Sequence, residues 1–345
     1  NPGSTDNAKI VVAWKQGSSK LSAVCSDQDN SISIFNVTNY TVKALSSYAS
    51  GTTPGLSSCS NILADNRSDE SYIIVGSSNT DTITIINVTN PAVNGNNWTF
   101  TSNVLINGVT DMAFDYERKV VFTCSYIDGL ITSFNVSNRT ITNLTKYTNT
   151  SRLIDCVSLS YDSNRQLLVA GAHSSGEVSI YNVSDVRNII PLSSYRNNTN
   201  TGECSFGSPE SGTSSNPVTG LSSVYYSNNY VFAVKGGNST SNSLVGNGGV
   251  CILNATNAQN LNKIGWINQT DGKCSLNGSY SILASVSNIA TPTDFDATYF
   301  LLASSRDDCI YSYNNILPPP PDLTTPIVNT TFNVSNALVG SVVNY

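Results

Sequence analysis

Short stretches in which apolar and polar residues alternate recur along the chain. Five run straight into an Asn-x-Ser/Thr triplet: Ser31-Ile-Ser-Ile-Phe-Asn36-Val-Thr, Thr82-Ile-Thr-Ile-Ile-Asn87-Val-Thr, Ile131-Thr-Ser-Phe-Asn135-Val-Ser, Val178-Ser-Ile-Tyr-Asn182-Val-Ser and Val250-Cys-Ile-Leu-Asn254-Ala-Thr. A sixth copy, Ile310-Tyr-Ser-Tyr-Asn314-Asn, keeps the alternation and loses the triplet. A period of two puts every second side chain on one face, which predicts β-strands with a buried side. The equivalent asparagines are 51, 48, 47, 72 and 60 residues apart. Spacings near fifty residues belong to repeat architectures, in which each unit buries its apolar face against the next.

Each period predicts four strands. The fourth copy reads as Cys156 to Tyr161, a turn at Asp162-Ser-Asn-Arg165, then Leu167 to Ala170, Val178 to Asn182 and Ile189 to Tyr195. The third repeats it, with Phe114-Asp115-Tyr-Glu-Arg118 before Val120-Val-Phe122, then Leu130 to Asn135 and Thr140 to Tyr147. Helical signals, apolar residues at i, i+3, i+4 and i+7 behind a capping residue, are nearly absent. The expected fold is all-β: a six-bladed β-propeller over residues 1–317, followed by a Pro-rich linker and an extended C-terminal tail strand over 318–345.

The aromatic-Asp-x-x-Arg/Asn turn, an apolar strand, a polar turn and Ile-x-Ile-Phe/Tyr-Asn-Val-Ser/Thr-Asn together resemble LVIVD-type and YVTN-type propeller repeats over roughly residues 8 to 316. Those repeats end their third strand in a Val-Ile-Asp-like segment; Asn replaces the Asp in this chain. The resemblance implies a propeller. It leaves function open, because relatives of this kind include lactonase-like enzymes and many cell-surface proteins.

Composition then narrows the setting. Charged residues are 12% of the chain and the net charge is -6, so the clustered Lys and Arg that displace phosphate counterions on nucleic acid are missing. No apolar run of 18 residues predicts a membrane span, and no charged and apolar leader opens the sequence, so Asn1 is expected to follow a removed signal peptide. Eight cysteines without a C-x-x-C spacing favour disulfides over zinc. Cys25 and Cys124 fall on second strands and Cys59 and Cys156 on the next first strands, predicting Cys25–Cys59 and Cys124–Cys156, with Cys204–Cys251 and Cys274–Cys309 as the remaining pairs.

Sequons occur at Asn36, Asn39, Asn66, Asn87, Asn97, Asn135, Asn138, Asn143, Asn149, Asn182, Asn197, Asn238, Asn254, Asn268, Asn277, Asn329 and Asn333. With the cysteines they predict a secreted, extracellular or cell-surface chain carrying N-linked glycans. The competing reading is that Asn-rich turns create sequons as a by-product.

Candidate chemistry is thin. His173, the only histidine, falls in a turn and is expected to be solvated. No Gly-x-Ser-x-Gly elbow or phosphate-binding Gly loop occurs. Asp27, Asp29, Asp81, Asp128, Asp307 and Asp308 lie in predicted second-to-third strand turns; they are weak candidates for a Ca²⁺ site, against the reading that hairpin turns simply favour Asp. No catalytic residue, metal or other cofactor is assigned.

The tail begins at Pro318-Pro-Pro-Pro321, a stiff spacer. It carries apolar residues at Ile327, Phe332, Val334, Leu338, Val339, Val342 and Val343 that suit three acceptors, its own sixth blade, a further domain, or strand addition to a neighbouring copy, which the sequence does not separate. The expectation is therefore a non-enzymatic structural glycoprotein, a homo-oligomer or subunit of an extracellular filament or coat. The alternative is a propeller that binds a ligand, a glycan or Ca²⁺ among them, or is lactonase-like, and that uses the long loops of blades four to six.

Overall fold

The protein was analysed as a computed structural model. It describes residues 8–26, 30–38, 42–49, 53, 55–66, 70–91, 96–197, 204, 206, 220–235, 249–268, 279–283, 300–304 and 309–313. These form 23 strands and, among the described residues, no α-helix.

The first sheet takes β1 (Ala8–Gln16), β2 (Ser19–Ser26), β3 (Ser31–Asn36) and β4 (Lys43–Ala49). β5 (Cys59–Asn66), β6 (Ser71–Ser77), β7 (Thr82–Asn87) and β8 (Asn97–Thr101) make the second. The third has β9 (Val109–Asp115), β10 (Val120–Ser125), β11 (Leu130–Asn135) and β12 (Thr142–Thr148). The fourth has β13 (Cys156–Asp162), β14 (Leu167–Ala172), β15 (Glu177–Asn182) and β16 (Ile190–Arg196). β17 (Leu221–Ser227), β18 (Tyr230–Lys235), β19 (Gly249–Asn254) and β20 (Asn262–Asn268) complete the fifth, and β21 (Ser279–Leu283), β22 (Phe300–Ser304) and β23 (Cys309–Tyr313) the sixth. Strands follow chain order in every sheet, and the pairings described are antiparallel, as for β10–β11 and β18–β19.

By density of contacts the chain falls into two units. One holds the described residues up to Ala170 and Tyr181–Pro191, the other Gly171–Ile180 and the described residues from Leu192 onward. In the first unit the cores lie between successive sheets. Trp14, Leu21, Ala23, Ile32 and Ile34 pack with Leu56, Ile62, Ile73 and Val75; Ile74, Ile83 and Ile85 pack with Met112, Phe114, Val121 and Phe134; Phe122 and Ile131 pack with Leu168, Ala170 and Tyr181. In the second unit Leu221, Val231, Val234, Val250 and Ile252 are buried. Second and third strands are buried on both faces, so β10 and β11 read as near-continuous apolar or small residues, while β12 on the outside alternates.

Three local devices repeat and explain the periodicity. Asn30, Asp81, Gly129 and Gly176, each just before a third strand, have φ of 48°, 51°, 58° and 59°, the left-handed conformation that tight hairpins need and that Gly, Asn and Asp tolerate. Asn30 Oδ1 and Asp81 Oδ1 then accept the N–H of Ser58 and Gly108, at 2.7 Å each, just ahead of the first strand of the following sheet. At the far end of the third strand, Oδ1 of Asn36, Asn87, Asn135, Asn182 and Asn254 accepts the N–H two residues on, at 2.8, 2.9, 3.0, 2.8 and 2.9 Å. This is an Asx-turn. The middle residue of each triplet bonds through its N–H to a carbonyl at the start of the second strand or just ahead of it, as in Val88 to Ser71, Val136 to Lys119 and Val183 to Gln166, and Val88, Val136, Val183 and Ala255 are buried.

Candidate functional site

First strands carry a β-bulge near their start. Its register shift falls between Cys59 and Asn61 on β5, between Val109 and Asp111 on β9, and between Leu221 and Ser223 on β17. The extra residue is hydroxylic in all three: Ser60, Thr110 and Ser222 donate to the carbonyls of Gly76, Cys124 and Val234 at 3.2, 3.1 and 3.2 Å. Each hydroxyl occupies a carbonyl of the neighbouring second strand beside the interrupted ladder. Bulges re-aim the side chain that follows, and they recur beside active sites.

In the first unit the residues after the bulge form a polar chain across three sheets. Asn61 donates through Nδ2 to Asp111 Oδ1, which also accepts the N–H of Met112 at 2.8 Å. Asp111 Oδ2 accepts the N–H of Leu159 on β13 at 2.7 Å, and the Ser158 hydroxyl bonds the same carboxyl. Asp111 as a residue is half-buried, but chain crowds its carboxyl closely enough for desolvation to dominate. That burial pushes its pKa up to about 6, against the opposing pull of the bonds from Leu159, Met112, Ser158 and Asn61. Next to it, Asn61 Oδ1 is buried and has no hydrogen-bond partner. A carboxyl whose burial raises its pKa to about 6, beside a buried acceptor without a partner, is a candidate general acid or base.

The opposite ends of the same strands are held by ion pairs. Asp115 is buried and pairs with Arg118; Tyr161 OH donates to Asp115 Oδ2 at 2.7 Å and accepts from Arg118 Nη2 at 2.8 Å. Burial opposes ionisation of Asp115, yet the bonds from the Arg118 N–H, Tyr161 and the guanidinium outweigh it and hold the carboxyl below the usual range. Lys119 Nζ pairs with buried Asp65 at 2.7 Å. Arg118 also donates to the carbonyls of Val183 and Ser184, at 2.9 and 2.8 Å, so every guanidinium nitrogen is committed to structure.

The acidic turn residues do not gather. Asp81 braces Gly108, Asp128 Oδ2 accepts Asn107 Nδ2 at 3.0 Å, and Asp27, Asp29, Asp307 and Asp308 lie outside the described residues. No three His, Cys, Asp or Glu side chains meet among the described residues. His173 is not the solvated turn residue that the sequence suggests: it is half-buried, its Nδ1 lies 3.0 Å from the Leu221 carbonyl, and a Cβ on Gly220 would stand 2.3 Å from the ring. The missing side chain of Gly220 makes that room. Disulfides join Cys25 to Cys59, Cys124 to Cys156 and Cys204 to Cys251. Cys274 and the side chain of Cys309 lie outside the described set, as do the sequons at Asn39, Asn238, Asn277, Asn329 and Asn333, the side chains of Asn66 and Asn268, and the tail residues Ile327, Phe332, Val334, Leu338, Val339, Val342 and Val343.

Asn61, Asp111 and Ser158 escaped the sequence reading. Their signal is faint: a polar residue two after Cys59, Val109 and Cys156, in first strands that carry other polar residues as well.

No family model matches the chain, and no curated protein matches it in sequence. Solved structures do resemble it. A proposed 6-phosphogluconolactonase from Bacteroides uniformis aligns with a TM-score of 0.63 at 12% identity, covering 88% of this chain and 80% of that one. A second, from Bacteroides fragilis, gives 0.62 at 13% identity, covering 88% and 79%. A protein from Lactobacillus plantarum gives 0.63 at 10% identity, covering 97% and 87%. These relatives correct two expectations drawn from the sequence, that the chain is a non-enzymatic structural subunit of a filament or coat and that it is not an enzyme. The fold is one that proposed sugar lactonases use, and the missing catalytic inventory behind both expectations has a candidate in Asp111. At these identities the likeness establishes an architecture: the chain has the all-β propeller fold of these proteins.

Proposed function

We propose that this protein is a lactonase-like hydrolase of sugar-acid lactones, with Asp111 as the general base. The carrying observation is the Asp111 carboxyl, raised to about 6 and oriented through both oxygens by groups from β5, β9 and β13. In its ionised form Asp111 takes a proton from a water molecule as that water adds to the lactone carbonyl. The ring C–O bond then breaks and the proton passes to the departing ring oxygen, leaving a hydroxy acid. Asn61 Oδ1, buried without a partner, suits a donor such as a substrate hydroxyl. The likeness to proposed 6-phosphogluconolactonases supports the substrate class. The described part of this site supplies no cation for a phosphate, so neutral lactones are the substrates proposed.

The same reading takes the six sheets as the blades of a six-bladed propeller and the setting of the chain as oxidising and extracellular, where the three disulfides among the described residues persist. The test is hydrolysis of glucono-1,5-lactone and related aldonolactones, followed by acid release in a pH-stat. Turnover should rise through a limb near pH 6 as Asp111 ionises and be lost in Asp111→Asn. Rates no faster than the uncatalysed reaction across the panel would sink the proposal.

A further inference from the structure

We propose that the third-strand asparagines Asn36, Asn87, Asn135, Asn182 and Asn254 are oligosaccharide attachment sites, and that the turn holding them is built to tolerate the modification. This stands apart from the hydrolase reading and draws on different atoms.

In each triplet the Asn side-chain oxygen and the middle N–H already have work. The Asn Oδ1 accepts the N–H two residues on. The middle N–H closes onto a carbonyl at the start of the second strand or just ahead of it. The hydroxyl clamps the same strand in two copies: Thr38 Oγ1 accepts Lys20 N–H at 2.8 Å and Thr89 Oγ1 accepts Ser71 N–H at 3.0 Å. The Nδ2 atom is left over. In all five copies it makes no hydrogen bond among the described residues, and it is not among the buried unpartnered atoms of these half-buried side chains. N-linked attachment bonds that nitrogen to the anomeric carbon of a phosphate-activated oligosaccharide donor, whose phosphate-linked carrier leaves as Nδ2 gives up one proton; Oδ1 remains an acceptor, so a sugar can be added without undoing the turn. Turn chemistry alone would be met equally by Asp or Ser. Five recurrences of Asn, each followed by Ser or Thr two residues on, need the amide nitrogen as well.

Asn143 supplies an internal control. It too heads a sequon, Asn143-Leu-Thr145, but lies within β12, and its Nδ2 donates to the Thr145 carbonyl at 3.4 Å. The proposal expects it to be bare or far less occupied.

The experiment is secretion of the full chain from a eukaryotic host, followed by enzymatic glycan release in heavy-oxygen water and peptide mass spectrometry, which marks each released site. Label at the five strand-end asparagines and not at Asn143 is the expected result. Recovery of the five as unmodified Asn, or occupancy at Asn143 equal to theirs, overturns it. Two variants separate turn from sugar. Asn135→Asp keeps the acceptor for Ser137 and should lose one glycan with no change in unfolding midpoint, whereas Asn135→Ala should lose the glycan and lower the midpoint. Equal losses of stability in both would show that the amide hydrogens hold the turn, and the proposal would fail.

Discussion

Stability should respond to pH in an unusual direction because of Asp111. Its carboxyl titrates at about 6 in the fold against 3.8 in the reference state, a rise of about 2 units, or roughly 3 kcal/mol. A group whose folded pKa lies above its unfolded value binds its proton more tightly in the fold. The stabilisation it contributes is therefore complete below pH 3.8 and disappears as pH rises through about 6. Most carboxylates act the other way, so the effect must be isolated by difference. Asp111→Asn removes the titration while keeping one acceptor oxygen, and Asn61 can rotate its amide to face the new NH₂ group. Urea unfolding of both proteins from pH 4 to pH 8, followed by fluorescence of Trp14 and Trp98, which lie in the same unit as Asp111, gives the two stability curves. The wild-type advantage should shrink by about 3 kcal/mol between pH 4 and pH 7 and then level off. A difference between the two proteins that stays flat within about 0.5 kcal/mol across this range would refute the burial argument and, with it, the base assigned to the hydrolysis.

Other expectations come from the scaffold. Tyr161→Phe strips one partner each from Asp115 and Arg118 and should cost about 1.5–3 kcal/mol in urea unfolding. Because the Asp115 carboxyl is held below its usual range, the stability it contributes is present above the unfolded pKa and lost as pH falls through the folded one; the Phe variant should show a shallower acid loss. Gly171→Ala would set a Cβ 2.7 Å from Leu221 Cδ2 and Val224 Cγ1, and overpacking of this kind should destabilise by about 1–3 kcal/mol in the same assay. Replacing Cys124 and Cys156 by Ser opens a 32-residue loop and should lower stability by about 3 to 4 kcal/mol in the chain-entropy account, seen as an earlier thermal midpoint.

The strands were legible because the repeat multiplies a weak signal. One alternating stretch is ambiguous; Ser31–Asn36, Thr82–Asn87 and Leu130–Asn135 together are not, since each ends in the same Asn, middle apolar residue and hydroxyl, and the structure shows the middle N–H bonded at the start of the second strand or just ahead of it in all three, and the hydroxyl bonded to that strand at Thr38 and Thr89 and to Asn135 Oδ1 at Ser137. The site was far less legible. Asp81 and Asp128 stood out in sequence as turn acids and prove to be braces for neighbouring loops, whereas Asp111 looked like one polar residue in a strand. Its character depends on Asn61, 50 positions earlier, and on Ser158 and Leu159, 48 positions later in the case of Leu159. No local pattern encodes partners that only the stacking of three sheets brings together. His173 was misjudged for the same reason, because its enclosure depends on the absent side chain of Gly220, 47 residues away in sequence.

The bulge explains why a chemical group can be placed there at small structural cost. In β5, β9 and β17 the ladder is already interrupted, and Ser60, Thr110 and Ser222 already engage the carbonyls at the break, so the pairing of first and second strands does not dictate the identity of the next side chain. That position can differ from sheet to sheet: it is Asn61, Asp111 and Ser223 in these three strands. Residues deeper in the same strands, such as Ile62, Met112 and Val224, are buried and shaped by packing. A repeat fold thereby separates the positions that specify it from the ones free to carry function. The energetic consequence is that the raised pKa of Asp111 has to be offset elsewhere. The Cys124–Cys156 bond and the Asp115–Arg118–Tyr161 cluster, which tie the same two sheets, are placed to offset it. Weakening either should therefore narrow the pH range of the folded state from its alkaline side first, where ionised Asp111 opposes folding, and relief of that narrowing by Asp111→Asn is the observation that would connect scaffold and site.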